Sequence, residues 1–202
     1  MMRMWTWARL GFAVLFVVGM VPLLPASAGD GAWVRVLPAD GSYLDGGTIA
    51  VEVWVENVEQ LYGADVRLAF DTAHLAVVDA NPSAPGVQLV PRGDLMSPDF
   101  VIKNEADNQA GTIWYAATQL NPHEPVTGSG AIVAFTFQAQ GVGPAVVDVQ
   151  YRKLARRDGT EIPANAAGAS YQIKESFRLY VPIVVRTYPS RGPSGSIGFP
   201  PR

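Results

Sequence analysis

Residues 49–71 decide the fold and read IAVEVWVENVEQLYGADVRLAFD. Apolar residues occupy every second position from 49 to 55 and again from 66 to 70, and alanine, charged residues and Trp54 stand between them. A period of two is typical of β-strands that bury one face and expose the other. The stretch therefore predicts two consecutive half-buried strands.

Seven further segments are alternating or short apolar runs between turn-forming residues. They are residues 33–37, 75–78, 100–103, 112–118, 133–139, 146–151 and 171–173. No stretch shows sustained helical periodicity, and glycine-rich turns such as Gly128-Ser129-Gly130 separate the runs. About nine short strands with regular turn signals predict an all-β sandwich of two sheets.

The N-terminus has the composition of a targeting segment. Residues 1–28 combine Arg3 and Arg9 with an apolar stretch and the small residues Ala26-Ser27-Ala28, as in a cleaved secretory signal peptide. A transmembrane anchor is the alternative, but the apolar stretch is shorter than the roughly 20 residues of a span and contains Pro22 and Pro25. We therefore expect residues 29–174 to form an exported domain, with no stable membrane span after cleavage.

The C-terminus departs from the alternating pattern. Residues 175–187 form an apolar segment, for which a sorting or attachment tail and an extra edge strand are both open interpretations. Residues 188–202 are rich in Pro, Gly and Ser, which predicts disorder. The chain has no cysteine, so the domain must rest on its apolar core, and a net charge of −3 gives no sign of nucleic-acid binding.

The order of these motifs resembles the cohesin domain of cellulosome-type assemblies, over residues 34–173. The most specific part is a valine strand followed by Asn57-Val58, then Leu61-Tyr62-Gly63-Ala64 and a strand that ends in Phe70-Asp71. Gly128-Ser129-Gly130 before residues 132–139 is similar to another family motif. The resemblance implies a nine-stranded jelly-roll sandwich that docks dockerins, which are helical modules with calcium-loaded loops resembling EF-hands. The calcium then belongs to the partner, and we expect no metal or cofactor in this chain.

Candidate catalytic groups are few. His74 and His123 fall in a turn and a loop, where surface positions are expected, and Ser129 does not lie in a G-x-S-x-G elbow. Glu105 and Asp107 are the best carboxylate pair, but two acids on one short loop rarely span a sugar as a glycosidase requires. Residues 104–111 also do not match the EF-hand pattern, with its glycine at the sixth position and its distal glutamate. We expect a solvated hairpin loop there and no enzymatic activity.

Outward-facing residues on two strands indicate a binding surface. If alternate residues from 66 to 70 point inward, Asp65 and Arg67 point outward. By the family's register, Trp114, Ala116 and Thr118 also point outward, although a slip of one residue would bury Trp114. In cohesins these two strands belong to the flat sheet that receives the dockerin. The resemblance therefore implies that these five residues bind the partner.

Three hypotheses about function follow. The first is a secreted, extracellular or cell-surface module that docks a dockerin-containing protein, in the assembly of polysaccharide-degrading complexes. The second is a carbohydrate-binding β-sandwich, with Trp54, Trp114 and Tyr115 as a stacking platform for a polysaccharide. The third is a purely structural surface domain. A sugar platform needs coplanar aromatic residues in a row, and Trp54 and Trp114 could lie on different sheets, which favours the protein partner.

Overall fold

The structure, a computed structural model, describes residues 31–176. Within that range the chain forms two β-sheets and no helix, which confirms the predicted all-β sandwich. Consequently, residues 31–176 contain no helix that is long and apolar enough to cross a membrane. The predicted signal peptide at 1–28, the segment 175–187 beyond its first two residues and the tail at 188–202 lie outside the described residues.

Thirteen strands make up the two sheets in the described part of the chain. In chain order they are β1 (Ala32–Leu37), β2 (Asp40–Leu44), β3 (Thr48–Leu61), β4 (Gly63–Phe70), β5 (Leu75–Val78), β6 (Val90–Pro91), β7 (Phe100–Asp107), β8 (Thr112–Thr118), β9 (Val126–Ala139), β10 (Gly143–Ala155), β11 (Glu161–Ile162), β12 (Ala164–Ala167) and β13 (Ala169–Lys174). All nine predicted strands are present. The four that the sequence did not predict are β2, β6, β11 and β12, so the count of nine is too low.

Sheet A has the order β12-β1-β3-β9-β5, and β6 also pairs with β9. Sheet B has the order β2-β13-β10-β4-β8-β7, and β11 also pairs with β10. The pairs β1–β12 and β2–β13 are parallel, whereas the other strand pairs are antiparallel. Consecutive strands repeatedly cross from one sheet to the other, so the two sheets belong to one sandwich.

The core lies between the two sheets and is almost entirely aliphatic and aromatic. Burial alternates along β1, β3 and β4 as the period-two pattern predicts. At its centre Phe137 contacts Phe70 and Phe135, with ring centroids 5.1 Å apart in both pairs. Tilted and edge-on aromatic contacts of this kind add to the free energy gained from burial. The chain has no cysteine, so the fold rests on this core without disulfides.

Two asparagine amides join the edge of sheet B to neighbouring backbone. Asn104 accepts from Leu89 N–H (2.8 Å) and donates to the Leu89 carbonyl (3.0 Å). Asn108 makes the same pair of bonds with Val77 (2.7 and 2.9 Å).

The hairpin loop expected at residues 104–111 is shorter than predicted. Strand β7 continues to Asp107, and the turn occupies residues 108–111.

Strand β3 is interrupted by two bulges that involve non-glycine residues with positive φ. Asn57 has φ 52° and Gln60 has φ 59°. Their N–H groups donate to the hydroxyls of Ser129 (3.0 Å) and Thr127 (3.2 Å) on β9. Ser129 therefore lies within a strand, rather than in the turn suggested by its glycine neighbours, and its hydroxyl satisfies a bulged backbone group.

Candidate functional site

The outer face of sheet B brings the five predicted binding residues onto two neighbouring strands. In the antiparallel pair β4–β8, Arg67 is opposite Trp114, Asp65 is opposite Ala116 and Gly63 is opposite Thr118. Trp114 is 38% exposed, while the alternate residues Ile113 and Tyr115 are buried in the core. The predicted register is therefore correct, and the side chain of Trp114 points outward.

Trp114 is held in place by two charged neighbours. Its indole N–H donates to Asp65 Oδ1 at 2.9 Å. The Arg67 guanidinium lies 4.1 Å from the centroid of the Trp114 ring and 4.7 Å from that of Tyr151 on β10, so Arg67 is stacked between two aromatic rings. Arg67 also lies 3.4 Å from Asp65 Oδ2. These contacts fix four side chains in one arrangement before any partner arrives.

Strand β7 extends this arrangement to the edge of the sheet. Glu105 is opposite Trp114, and Lys103 is opposite Ala116. Lys103 forms an ion pair with Glu105, and its ammonium lies 5.5 Å from the Trp114 ring. The face therefore presents an aromatic centre surrounded by charges of both signs. We call Asp65, Arg67, Lys103, Glu105, Trp114 and Tyr151 the Trp114 cluster.

Two of the predicted residues contribute less than expected. Ala116 points to the same side as Trp114 and is not part of the core cluster, yet it is only 4% exposed. It stands opposite both Asp65 and Lys103, whose side chains are longer, so little of its surface is accessible to a partner. The Thr118 hydroxyl lies 3.1 Å from the carbonyl oxygens of Tyr62 and Gln119, which engages it within the chain.

An exposed apolar patch at one end of the same face was not predicted. It consists of Phe100, Ile102 and Leu120, all about half exposed or more. The apolar run 100–103 predicts a strand, but a register shift between Val101 and Lys103 places Ile102 on a bulge, where it meets solvent. Periodicity gives no signal for such a bulge.

A hydrogen-bonded carboxylate holds the loop that carries Leu120. Asp99 accepts from the Ser97 hydroxyl (2.6 Å) and from Leu120 N–H (2.8 Å), and it lies 2.6 Å from His123 Nδ1. The Ser97 and Leu120 hydrogen bonds, followed by His123, lower the pKa of Asp99 to about 2. The Ser97 hydroxyl bonds to Asp99 and not to His123, so these three residues do not have the geometry of a catalytic triad.

The two histidines and the carboxylates Glu105 and Asp107 make contacts within the chain. His123 is half exposed, as its loop position predicts, whereas His74 is largely buried, with Nδ1 3.1 Å from the Gly141 carbonyl. Glu105 belongs to the Trp114 cluster, and Asp107 accepts from the N–H groups of Gln109 and Ala110 in the turn, which lower its pKa. Residues 31–176 contain no group of three or more His, Asp or Glu side chains placed to hold a metal ion.

The predicted sugar platform of three aromatic residues does not exist. Trp54 lies on β3 in sheet A, Trp114 lies on β8 in sheet B, and Tyr115 is buried between the sheets with 1% of its surface exposed. The three rings therefore share no surface. Trp54 lies on the outer face of sheet A, away from the Trp114 cluster.

Solved structures similar to this chain are cohesin domains. A type I cohesin–dockerin complex from Clostridium thermocellum (Coh-OlpC with Doc435) matches with a TM-score of 0.59 at 12% identity, covering 72% of this chain and 95% of that one. A non-cellulosomal cohesin from the archaeon Archaeoglobus fulgidus matches with a TM-score of 0.55 at 13% identity (71% and 91%). A type II cohesin from Acetivibrio cellulolyticus matches at 0.57 and 11% identity (70% and 95%).

These similarities establish the fold as cohesin-like. No family model matches the sequence, and no curated protein matches it. Several of the similar cohesin structures were determined in complex with a dockerin.

Proposed function

We propose that this chain is an extracellular or cell-surface binding module that docks a dockerin-containing protein on the outer face of sheet B. The observation that carries the proposal is the Trp114 cluster, in which an exposed tryptophan is fixed by Asp65 and Arg67 on the outer face of sheet B, next to the edge strand β7. The cohesin-like fold and the neighbours solved with dockerins support it.

The cluster has the composition of an energetic centre in a protein interface. Trp, Tyr and Arg dominate such centres, and charged side chains around them set orientation. Because hydrogen bonds and stacking already order these side chains, less conformational entropy is lost when a partner binds. The patch of Phe100, Ile102 and Leu120 extends the face with apolar surface suited to one side of a helix.

In this proposal the calcium belongs to the dockerin, and the chain contributes to the assembly of a polysaccharide-degrading complex at the cell surface. Neither step requires a catalytic group in the chain. The interface would bury roughly 800 Å² per partner, which is the standard size for specific complexes.

The proposal is tested by capturing proteins from the secretome of the producing organism with the immobilised chain, with calcium or with a chelator. We expect a calcium-dependent dockerin protein, identified by mass spectrometry. Its affinity should fall by about 2 kcal/mol or more for Trp114→Ala. Trp54→Ala, on the opposite sheet, is the matched control and should bind normally. Failure to capture any dockerin, or equal binding by Trp114→Ala and the parent, would contradict the proposed face.

A further inference from the structure

The outer face of sheet A contains an open groove of about 700 Å³, on the side of the sandwich opposite the Trp114 cluster. Its floor is formed by β3 and β9, where the small side chains of Ala50 and Ala134 keep the surface low. Pro38 beyond β1 stands on one side, and Val90 on β6 stands on the other. The volume lies within the range of about 300–1,000 Å³ that is typical of small-ligand sites.

Trp54 lines this groove, and a second tryptophan lies beside it. Trp54 alternates with buried valines along β3, and Trp33 alternates with buried residues along β1, so both point to the outer face of sheet A. Arg35 is directly opposite Trp54 in the register, which places Trp33 diagonally from Trp54. Diagonal positions on paired strands are roughly 7–8 Å apart. The face therefore places two tryptophans near each other, and the Arg35 guanidinium lies 4.2 Å from the centroid of the Trp33 ring.

The charged groups around Trp54 are matched in pairs. Glu52 accepts from the Trp54 indole N–H at 2.9 Å and lies 3.4 Å from the Arg92 guanidinium. Arg92 also binds Asp94 at 3.0 Å. These groups are fixed by one another and still have unused lone pairs and N–H donors. Because opposite charges are adjacent, the groove suits a neutral ligand rich in hydroxyl groups better than an ion.

A sugar has an apolar C–H face and a rim of hydroxyl groups. The groove offers a matching surface to each, because it combines apolar walls and an aromatic ring with ordered polar groups. The C–H face of a pyranose packs on an indole, while its hydroxyls both donate to and accept from charged side chains. We infer that this groove binds a neutral glycan, with a sugar ring on Trp54 and hydroxyl contacts to Glu52 and Arg92. The groove is open at the surface, so a chain of sugars can lie along it.

Two other occupants fit the groove less well. Thirteen residues line it, compared with about 20–30 on each side of a standard protein interface, so a second copy of the chain would need contacts beyond it. Residues 177–185 are apolar apart from Arg178 and contain no acidic side chain that could pair with Arg92. The site shares no residue with the Trp114 cluster, so the inference goes beyond the proposed function and does not depend on it.

The test is affinity electrophoresis of the full chain in gels that contain arabinoxylan, mixed-linkage β-glucan or galactomannan, followed by calorimetry with a hexasaccharide of the retarding polymer. At least one polymer should retard the parent chain. Trp54→Ala should weaken binding at least tenfold, and Glu52→Gln should weaken it several-fold. Trp114→Ala is the matched control on the opposite sheet and should bind glycan as the parent does.

A second variant keeps the test decisive if Trp54→Ala alters folding. Ala134→Leu retains both tryptophans and fills the groove floor, so it should abolish retardation while the thermal midpoint stays close to that of the parent. The inference is overturned if no neutral polymer retards the parent, or if Trp114→Ala removes retardation and Trp54→Ala does not. It is also overturned if only a chain ending at residue 176 is retarded, or if Trp54→Ala dissociates a dimer without changing glycan binding.

Discussion

Trp114 and Ala116 lie two residues apart on β8 and point to the same side of sheet B, yet only Trp114 presents appreciable surface. The register implied by the cohesin resemblance predicted the direction of both side chains correctly. It could not predict accessibility, because the covering neighbours belong to β4 and β7, and their register with β8 depends on long-range pairing. For the same reason the sequence did not indicate Tyr151 as part of this face, since Tyr151 comes next to Arg67 only through the pairing of β10 with β4.

Tyr115 and Tyr171 differ in one hydrogen bond. Both are buried, and burial raises the pKa of each phenol, to about 12 for Tyr115. The Tyr171 hydroxyl donates to the Pro38 carbonyl at 3.0 Å, whereas the Tyr115 hydroxyl has no protein partner within residues 31–176. A buried polar group without a partner costs roughly 1–3 kcal/mol.

Removing these two hydroxyls should therefore have opposite effects on stability. We expect Tyr115→Phe to raise the free energy of unfolding by about 1 kcal/mol and Tyr171→Phe to lower it by about 1 kcal/mol. Urea denaturation of the two variants and the parent measures both changes, and each variant serves as the control for the other. Destabilisation by Tyr115→Phe would mean that the Tyr115 hydroxyl has a partner.

At the scale of elements, the sequence predicted the strands that build the core and missed those that close its edges. Strands β2, β6, β11 and β12 have two to five residues and no sustained alternation of apolar and polar side chains. Two of them pair in parallel with strands more than 100 residues away. Such short strands form because a neighbouring strand offers them an edge to pair with, not because of their own propensity. No local pattern in the sequence therefore reveals them.

The second bulge of β3 gives an element-scale prediction. Gln60 has φ 59°, a left-handed conformation that costs a non-glycine residue roughly 1–2 kcal/mol. Gln60→Gly relieves that cost but adds freedom to the unfolded chain, worth roughly 0.4–1 kcal/mol. We expect a net stabilisation of about 0.5 kcal/mol in urea denaturation. Asn57→Gly is the control and should gain less, since asparagine tolerates this conformation better. A loss of stability in Gln60→Gly would contradict the bulge geometry.

The connection between β8 and β9 should respond to acid through Asp99. Its folded-state pKa of about 2 lies below the unfolded value of roughly 3.9, so ionised Asp99 stabilises the fold. That contribution is complete above about pH 4 and is lost as the pH falls towards 2. We expect Asp99→Asn to lower the thermal midpoint at pH 7, with a difference from the parent that shrinks between about pH 4 and 2.

A control variant identifies the cause of this acid dependence. Ser97→Ala removes the hydrogen bond that contributes most to the lowered pKa of Asp99. The acid-induced loss of stability should then be smaller than in the parent and complete at a higher pH, because its onset is set by the unfolded-state pKa, which this substitution does not change. A difference between Asp99→Asn and the parent that stays constant from pH 7 to 2 would show that Asp99 does not stabilise the fold through its charge.

At the scale of the whole molecule, the two sheet faces carry different chemistry around one shared core. The sequence predicted the sandwich because its core strands alternate so regularly, and it predicted one face through the order of its motifs. It did not predict the groove on sheet A, because that groove is assembled from β1, β3, β9 and β6, whose lining residues are spread from Leu37 to Thr136. Concavity is a property of how strands are placed, and no single segment encodes it.

The stability of the molecule should be sensitive to cavities in the shared core, because a sandwich without disulfides depends on close packing. Phe135 is buried and contacts Phe137 edge-on, so Phe135→Ala leaves a cavity and should lower the free energy of unfolding by about 3 kcal/mol or more. For a domain of this size the thermal midpoint should fall by roughly 6–12 °C. Phe135→Leu keeps most of the volume and should cost less than about 1.5 kcal/mol. Trp114→Ala removes a larger side chain from the outer face and should cost less than about 1 kcal/mol. Thermal unfolding followed by far-UV circular dichroism compares the three variants, and a larger loss for Trp114→Ala than for Phe135→Ala would mean that the Trp114 side chain packs in the core.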